Sequence, residues 1–374
     1  MPPLESVRVL LVVPSLAGGG AERVIVTLLE RLDRSRFEPH LALMRAHGPY
    51  LKEIPADVPV HDLAAWRVRT AIPALVRLTR RLRPQATLST LAELNLAMCL
   101  ARPFMPRRCR LLLSEQVSPS ARLLAATQHP GAWRWLYRHL YPRADAIVCV
   151  SDEVLNDLAE QFGIPRRKLA RIYNPVDVGR LSALAAGPNP YIGDGPHLVA
   201  AGRLHRQKGF DLLLDAMPLV RARVPTAELT ILGEGALEAE LKSQRDRLGL
   251  TESVHFLGFQ ENPYPFMKHC NLFVLPSRYE GGASLVAMEA LALGRPVVAA
   301  DCPGGVRELL AKCPLARFVP IENTPALAAA IIEALECGGG PSAAPDVESC
   351  LDPFRAERVV RQYEAILSGP VQGL

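Results

Sequence analysis

Apolar runs alternate with amphipathic stretches along the whole chain, and the pattern predicts strands separated by helices. Residues 7–13 (VRVLLVV) form the continuous apolar run expected of a strand buried on both faces. Similar short runs recur at 40–44, 58–63, 87–88, 111–113 and 146–150, then at 197–201, 229–232, 254–257, 272–275 and 297–300. Helices are predicted at 21–32, 66–82 and 152–161, from 210, and at 284–293, 306–310 and 353–367. Ser151 and Gly163 bracket the third of these as start and stop signals. Parallel strands need a crossover between them, so this order specifies an α/β protein with parallel sheets. Residues 1–180 and 197–350 read as two domains, with an Ala-, Pro- and Gly-rich linker at 181–196 and a final helix within 351–374. Residues 117–131 read as an irregular loop, and 338–344 as a flexible interruption.

The stretch 278–301, RYEGGASLVAMEALALGRPVVAAD, organises the second half. It follows a strand and runs through a glycine-bearing turn (Glu280, Gly281, Gly282) into a short helix and a further strand. Ligands of parallel sheets sit off the carboxyl ends of the strands, where this turn falls. Ser284 is expected to cap the helix that begins with Leu285 and Val286, leaving outward-facing amides for an anion such as a diphosphate. Glu280 and Glu289 suit hydroxyl groups of sugar and ribose better than phosphate. Upstream, Gly202, Arg203 and Lys208 share a loop at another strand end, which places two cations beside the same site. Between the first strand and helix, Gly18, Gly19 and Gly20 allow close backbone approach to a phosphate. The dinucleotide fingerprint fails there, since its third glycine position is Arg23.

These residues resemble the donor-site signatures of retaining glycosyltransferases of family 4, which have the GT-B fold of two facing Rossmann-like domains. That family carries two glutamates separated by seven residues, then a small-residue helix, Gly, Pro and a valine strand. Here eight residues separate Glu280 from Glu289, and the additional one falls within 281–284. The block GRLHRQKGFDLLLDA resembles the family's second signature. The resemblance implies that Arg203 and Lys208 hold the donor phosphates, Glu289 the ribose and Glu280 the sugar. It places Gly258 and Phe259 beside the base, and the Gly18–Gly19 loop opposite the diphosphate. It also makes Glu115, at the end of the 111–113 strand, the candidate for contacting acceptor or transition state. The last helix would pack back on the first domain. The implied reaction moves a hexose or N-acetylhexosamine from a UDP- or GDP-linked donor to a glycan or lipid-linked acceptor. It retains anomeric configuration and needs neither metal nor separate cofactor.

Composition narrows the setting. Apolar residues make up 49% and charged residues 22%, as in soluble globular proteins. No apolar run reaches the roughly 20 residues that span a bilayer. Eight scattered cysteines form no CxxC pair, and no HExxH occurs. A cytoplasmic protein is expected, peripheral at the inner membrane face. Residues 1–190 carry a net charge of +10 and residues 191–374 a net −5. The first half therefore faces something anionic. An anionic membrane surface or lipid-pyrophosphate acceptor fits better than nucleic acid, for which no recognition motif exists. Arg67, Arg69, Arg77, Arg80, Arg81 and Arg83 lie in or beside the amphipathic stretch 66–82, and a second basic cluster spans 102–110. Two other readings use the same nucleotide site: a GT-B epimerase, which needs extra acid/base groups, and a non-catalytic nucleotide-sugar-binding protein.

Overall fold

The computed structural model describes residues 6–126, 129–281, 284–337 and 347–369. Among them, thirteen strands form two fully parallel sheets, one in each of two units. The first unit runs to Pro175 and resumes at Ala356, and the second is Val176–Arg355.

Strands β1 (Val7–Val13), β2 (Phe37–Leu43), β3 (Val60–Asp62), β4 (Ala86–Thr90), β5 (Arg110–Glu115), β6 (Ala146–Cys149) and β7 (Leu169–Arg171) build the first sheet. Their order is β3-β2-β1-β4-β5-β6-β7. Two apolar layers cover it, and β1 shows why its residues must all be apolar. Leu10 and Val12 enter one layer; Val9, Leu11 and Val13 enter the other. The second layer is completed by the C-terminal helix Ala356–Ser368, which contributes Val359, Val360, Tyr363, Ile366 and Leu367. Arg110 fastens that helix by donating to the Ile366 carbonyl at 2.7 Å, and Arg31 pairs with Glu357 at 2.9 Å.

The second sheet contains β8 (His197–Ala201), β9 (Glu228–Leu232), β10 (Val254–Phe256), β11 (Leu272–Leu275), β12 (Val297–Ala300) and β13 (Ala316–Val319). Its order is β10-β9-β8-β11-β12-β13. In each sheet the chain first winds one way and then the other. The order reverses between β1 and β4, and again between β8 and β11. Loops leaving two adjacent strands in opposite directions open a crevice at such a point, and ligands bind there.

Two expectations are corrected, and two strands appear that the sequence pattern did not announce. Residues 181–196 do not stand apart as a linker. The helix Val178–Leu184 and the strap after it belong to the second unit, where Tyr191 stacks on His197 at 4.2 Å and donates to the Phe266 carbonyl at 2.8 Å. The stretch 117–131 holds the helix Pro119–Ala126 and the start of the helix Pro130–Leu140. Asp157 organises the first of these by accepting from the Ser118 hydroxyl and the Ser120 amide, at 2.8 and 2.9 Å. Strands β7 and β13 lie in mixed-polarity runs that carry no apolar pattern of their own. Residues 338–344 lie outside the described residues. No described helix is long and apolar enough to cross a membrane.

Candidate active site

The loops after β8 and β11 meet at the reversal point of the second sheet. Gly202 follows β8 with φ +152°, and a Cβ there would crowd the Lys208 side chain at 3.2 Å, so glycine lets the lysine lie across the backbone. Lys208 Nζ reaches Glu280 Oε1 at 2.5 Å. The same oxygen accepts from Ser277 Oγ at 2.6 Å. Glu280 is 4% exposed, so these partners carry its charge in place of water. Its backbone is fixed as well. The Glu280 amide donates to the Pro303 carbonyl at 2.8 Å, and Gly304, at φ +120°, packs so closely that a Cβ would stand 1.8 Å from the Glu280 carbonyl oxygen.

Arg203 is exposed and makes no ion pair with another described residue. The site thus presents one cation toward solvent and a second held by a carboxylate. Arg278 braces the arrangement from beneath. Its guanidinium meets Asp211 at 2.6 and 2.8 Å and Glu322 at 2.9 Å, tying the loop after β11 to the helix Phe210–Arg223. Burial pushes the Asp211 carboxyl up, but Arg278 outweighs it and holds the group below the usual carboxylate range.

Glu289, on the helix Leu285–Ala292, is buried and accepts from the Tyr264 hydroxyl at 3.1 Å. Leu285 and Val286 open that helix half-buried. Ser284 occupies the position before it, yet its side chain does not cap. Its φ of +55° is left-handed, whereas a capping side chain needs the extended backbone. Gly281 is half-buried, and Gly282 lies outside the described residues. Gly258 and Phe259 stand beside the loop after β9. The Gly233 amide donates to the Gly258 carbonyl at 2.7 Å, and Glu234 accepts from the Phe259 amide at 3.2 Å.

In the first unit, Gly18 and Gly19 lead into the helix Gly20–Arg31, and Tyr50 donates to the Gly18 carbonyl at 3.3 Å. A Cβ on Gly19 would lie 2.2 Å from Glu22 Oε2, so one of the chain's own carboxylates stands over the loop that glycine spacing assigns to phosphate. Glu115 ends β5 at 2% exposure and accepts a short hydrogen bond from Tyr141. Burial pushes its carboxyl up to about 7, against the lowering effect of that hydroxyl. Asn95 extends the network, accepting from Ser89 at 2.6 Å and donating to the Ser114 carbonyl at 3.0 Å. Glu115 is thus a buried carboxyl within a polar network, and no open side chain. Sequence reading missed Ser277, Tyr264, Tyr141 and Asn95. Only Ser277 carried a local signal, standing immediately before the stretch 278–301 and three positions before Glu280.

Two family models match the chain: Glycosyltransferase Family 4 over residues 18–180, and Glycosyl transferases group 1 over residues 195–337. The chain is 33% identical over 321 residues to the N-acetylgalactosamine-N,N'-diacetylbacillosaminyl-diphospho-undecaprenol 4-alpha-N-acetylgalactosaminyltransferase of Campylobacter jejuni, covering 83% of this chain and 85% of that protein. It is 28% identical to the lipopolysaccharide core biosynthesis glycosyltransferase LpsE of Rhizobium meliloti, over 44% of this chain and 46% of that one. Among solved structures, Anabaena HepE in complex with UDP and glucose matches with a TM-score of 0.79 at 20% identity, over 97% of this chain and 100% of that one. Sucrose-phosphate synthase of Thermosynechococcus elongatus matches at 0.78 and 18% identity, over 96% and 98%. Such structural likeness at low identity establishes the fold, and a relative one-third identical across most of both chains establishes the family. The chain belongs to glycosyltransferase family 4 and has the GT-B architecture of two Rossmann-like domains.

Proposed function

We propose that this glycosyltransferase moves a hexose or N-acetylhexosamine, with retention and without a metal, from a nucleoside-diphosphate sugar to a lipid-linked saccharide. The observation that carries the donor half is the placement of Arg203 and Lys208 at the end of β8, beside Glu280 at the end of β11. A departing diphosphate needs positive charge that is already in position, and these two side chains supply it. Glu280 then takes sugar hydroxyls and Glu289 the ribose. The structures of Anabaena HepE with UDP and with UDP-glucose support a uridine nucleotide as the first donor to test.

The acceptor half is supported by the Campylobacter relative, whose name specifies a diphospho-undecaprenol substrate. Charge supports it too. On the helix Val68–Leu82, Arg69, Arg77, Arg80 and Arg81 share one exposed face at helical spacing, and no acid lies in that helix. Phe104 and Trp66 are 56% and 77% exposed, and Arg80 donates to the Phe104 carbonyl at 2.8 Å. A basic face flanked by exposed aromatics suits an anionic bilayer, the setting of a lipid-linked acceptor.

The test is thermal stabilisation and donor turnover across UDP- and GDP-linked sugars. One nucleoside diphosphate should stabilise the protein, and Arg203→Ala should abolish the effect. Indifference to every nucleoside diphosphate would overturn the reading. Product NMR then reports the anomeric configuration, and an unchanged rate in EDTA is expected.

A further inference from the structure

The loop after β11 contains a buried hydroxyl with an unusual allegiance. Ser277 is 0% exposed, and serines in turns ordinarily bond backbone groups of their own turn. Ser277 Oγ instead donates to the Glu280 carboxylate, at 2.6 Å. Lys208 takes the same atom, Oε1, at 2.5 Å. Glu280 Oε2 receives no hydrogen bond from any described residue. The main chain at Glu280 is already fixed by the Pro303 carbonyl and by Gly304. What remains free is the rotation of the glutamate side chain, and Ser277 and Lys208 stop it from opposite loops.

We infer that Ser277 is a positioning residue of the transfer reaction: together with Lys208 it pins Oε1 of Glu280, so that Oε2 is aimed as the acceptor for a hydroxyl of the donor sugar. The inference rests on the donor site proposed above. A carboxylate offers about four lone-pair directions, and the protein fills those on one oxygen while leaving the other for the ligand. Ser277 touches neither nucleotide nor sugar in this arrangement. It acts through Glu280, on the sugar half of the donor alone.

That split gives the test. Binding of the nucleoside diphosphate and of the intact nucleotide sugar is measured by calorimetry for wild type, Ser277→Ala and Ser277→Cys, together with kcat and KM for the donor. Cysteine keeps the buried volume and donates weakly, so it separates lost aiming from lost packing. Both variants should bind the nucleoside diphosphate within about twofold of wild type. For the nucleotide sugar, kcat/KM should fall roughly tenfold or more in both, as expected for loss of a hydrogen bond to a charged group. On a Glu280→Ala background, the further loss from Ser277→Ala should disappear. Equal weakening of diphosphate and sugar nucleotide, no weakening of either, or additive losses on that background would overturn the inference alone. A wild type that binds no nucleoside diphosphate would overturn the transferase reading and this inference with it.

Discussion

Lys208 Nζ lies 2.5 Å from Glu280 Oε1, although the two stand 72 positions apart in the chain, and both side chains are largely hidden from water. They are neighbours because β8 and β11 are neighbours, at the one point of the sheet where the winding reverses. The cation assigned to the diphosphate and the acid assigned to the sugar therefore neutralise one another in the absence of donor. Lys208→Ala or Glu280→Ala alone would strand a charge in a dry loop. Each should cost about 2–4 kcal/mol in urea denaturation, and the double variant clearly less than their sum. Strictly additive losses would show that the pair is not coupled.

Glu115 sets a pH dependence of stability. Its folded-state pKa of about 7 stands above the ordinary 4.5, so between those values the folded protein keeps a proton that the unfolded chain has lost. Stability should fall as pH rises through that window, by on the order of 3 kcal/mol, and level off above it. Glu115→Gln should flatten the profile, since an amide has no charge to bury. A wild-type profile already flat from pH 4.5 to 7 would remove this account of the network with Tyr141.

Asp211 and Arg278 act as a clasp on the loop that carries Ser277 and Glu280. Asp211→Asn removes the charge and leaves the shape, so about 1–2 kcal/mol of local stability should go. Hydrogen exchange should report it as faster amide exchange at 278–281, with the strand Leu272–Leu275 unchanged. Uniform acceleration throughout the second unit would mean that the clasp supports the whole sheet.

The basic face of the helix Val68–Leu82 is read by sedimentation with vesicles rich in anionic lipid. Arg77→Glu with Arg81→Glu should cut bound protein more than tenfold, because each basic residue at such a surface contributes roughly 1 kcal/mol. Raising salt should have the same effect on the wild type. Equal binding to neutral vesicles would put the contact down to Phe104 and Trp66 instead.

What could be read in advance followed from local physics. The apolar run of β1 matches the strand Val7–Val13, because a central strand leaves no polar position, and Ser151 with Gly163 marked the ends of their helix through capping chemistry. The loops bearing Arg203, Lys208 and Glu280 were legible because glycines and strand ends announce them. Ser284 misled, since its residue type favours a cap and its left-handed backbone forbids one. The partners stayed hidden wherever the bond closes over a long interval. Asp211 and Arg278 come together only through the sheet order, and so do Tyr141 with Glu115 and Tyr264 with Glu289.

The helix Ala356–Ser368 puts Tyr363 into the apolar layer of a sheet whose last strand ends at Arg171. During synthesis, the amino-terminal half must therefore wait on the ribosome with that layer only partly covered, by the helix Gly20–Arg31, while the whole of Val176–Arg355 is made. A stop codon near residue 355 would spare the loops after β8 and β11 and still yield a protein prone to clump, with its damage at the opposite end of the gene from the lesion.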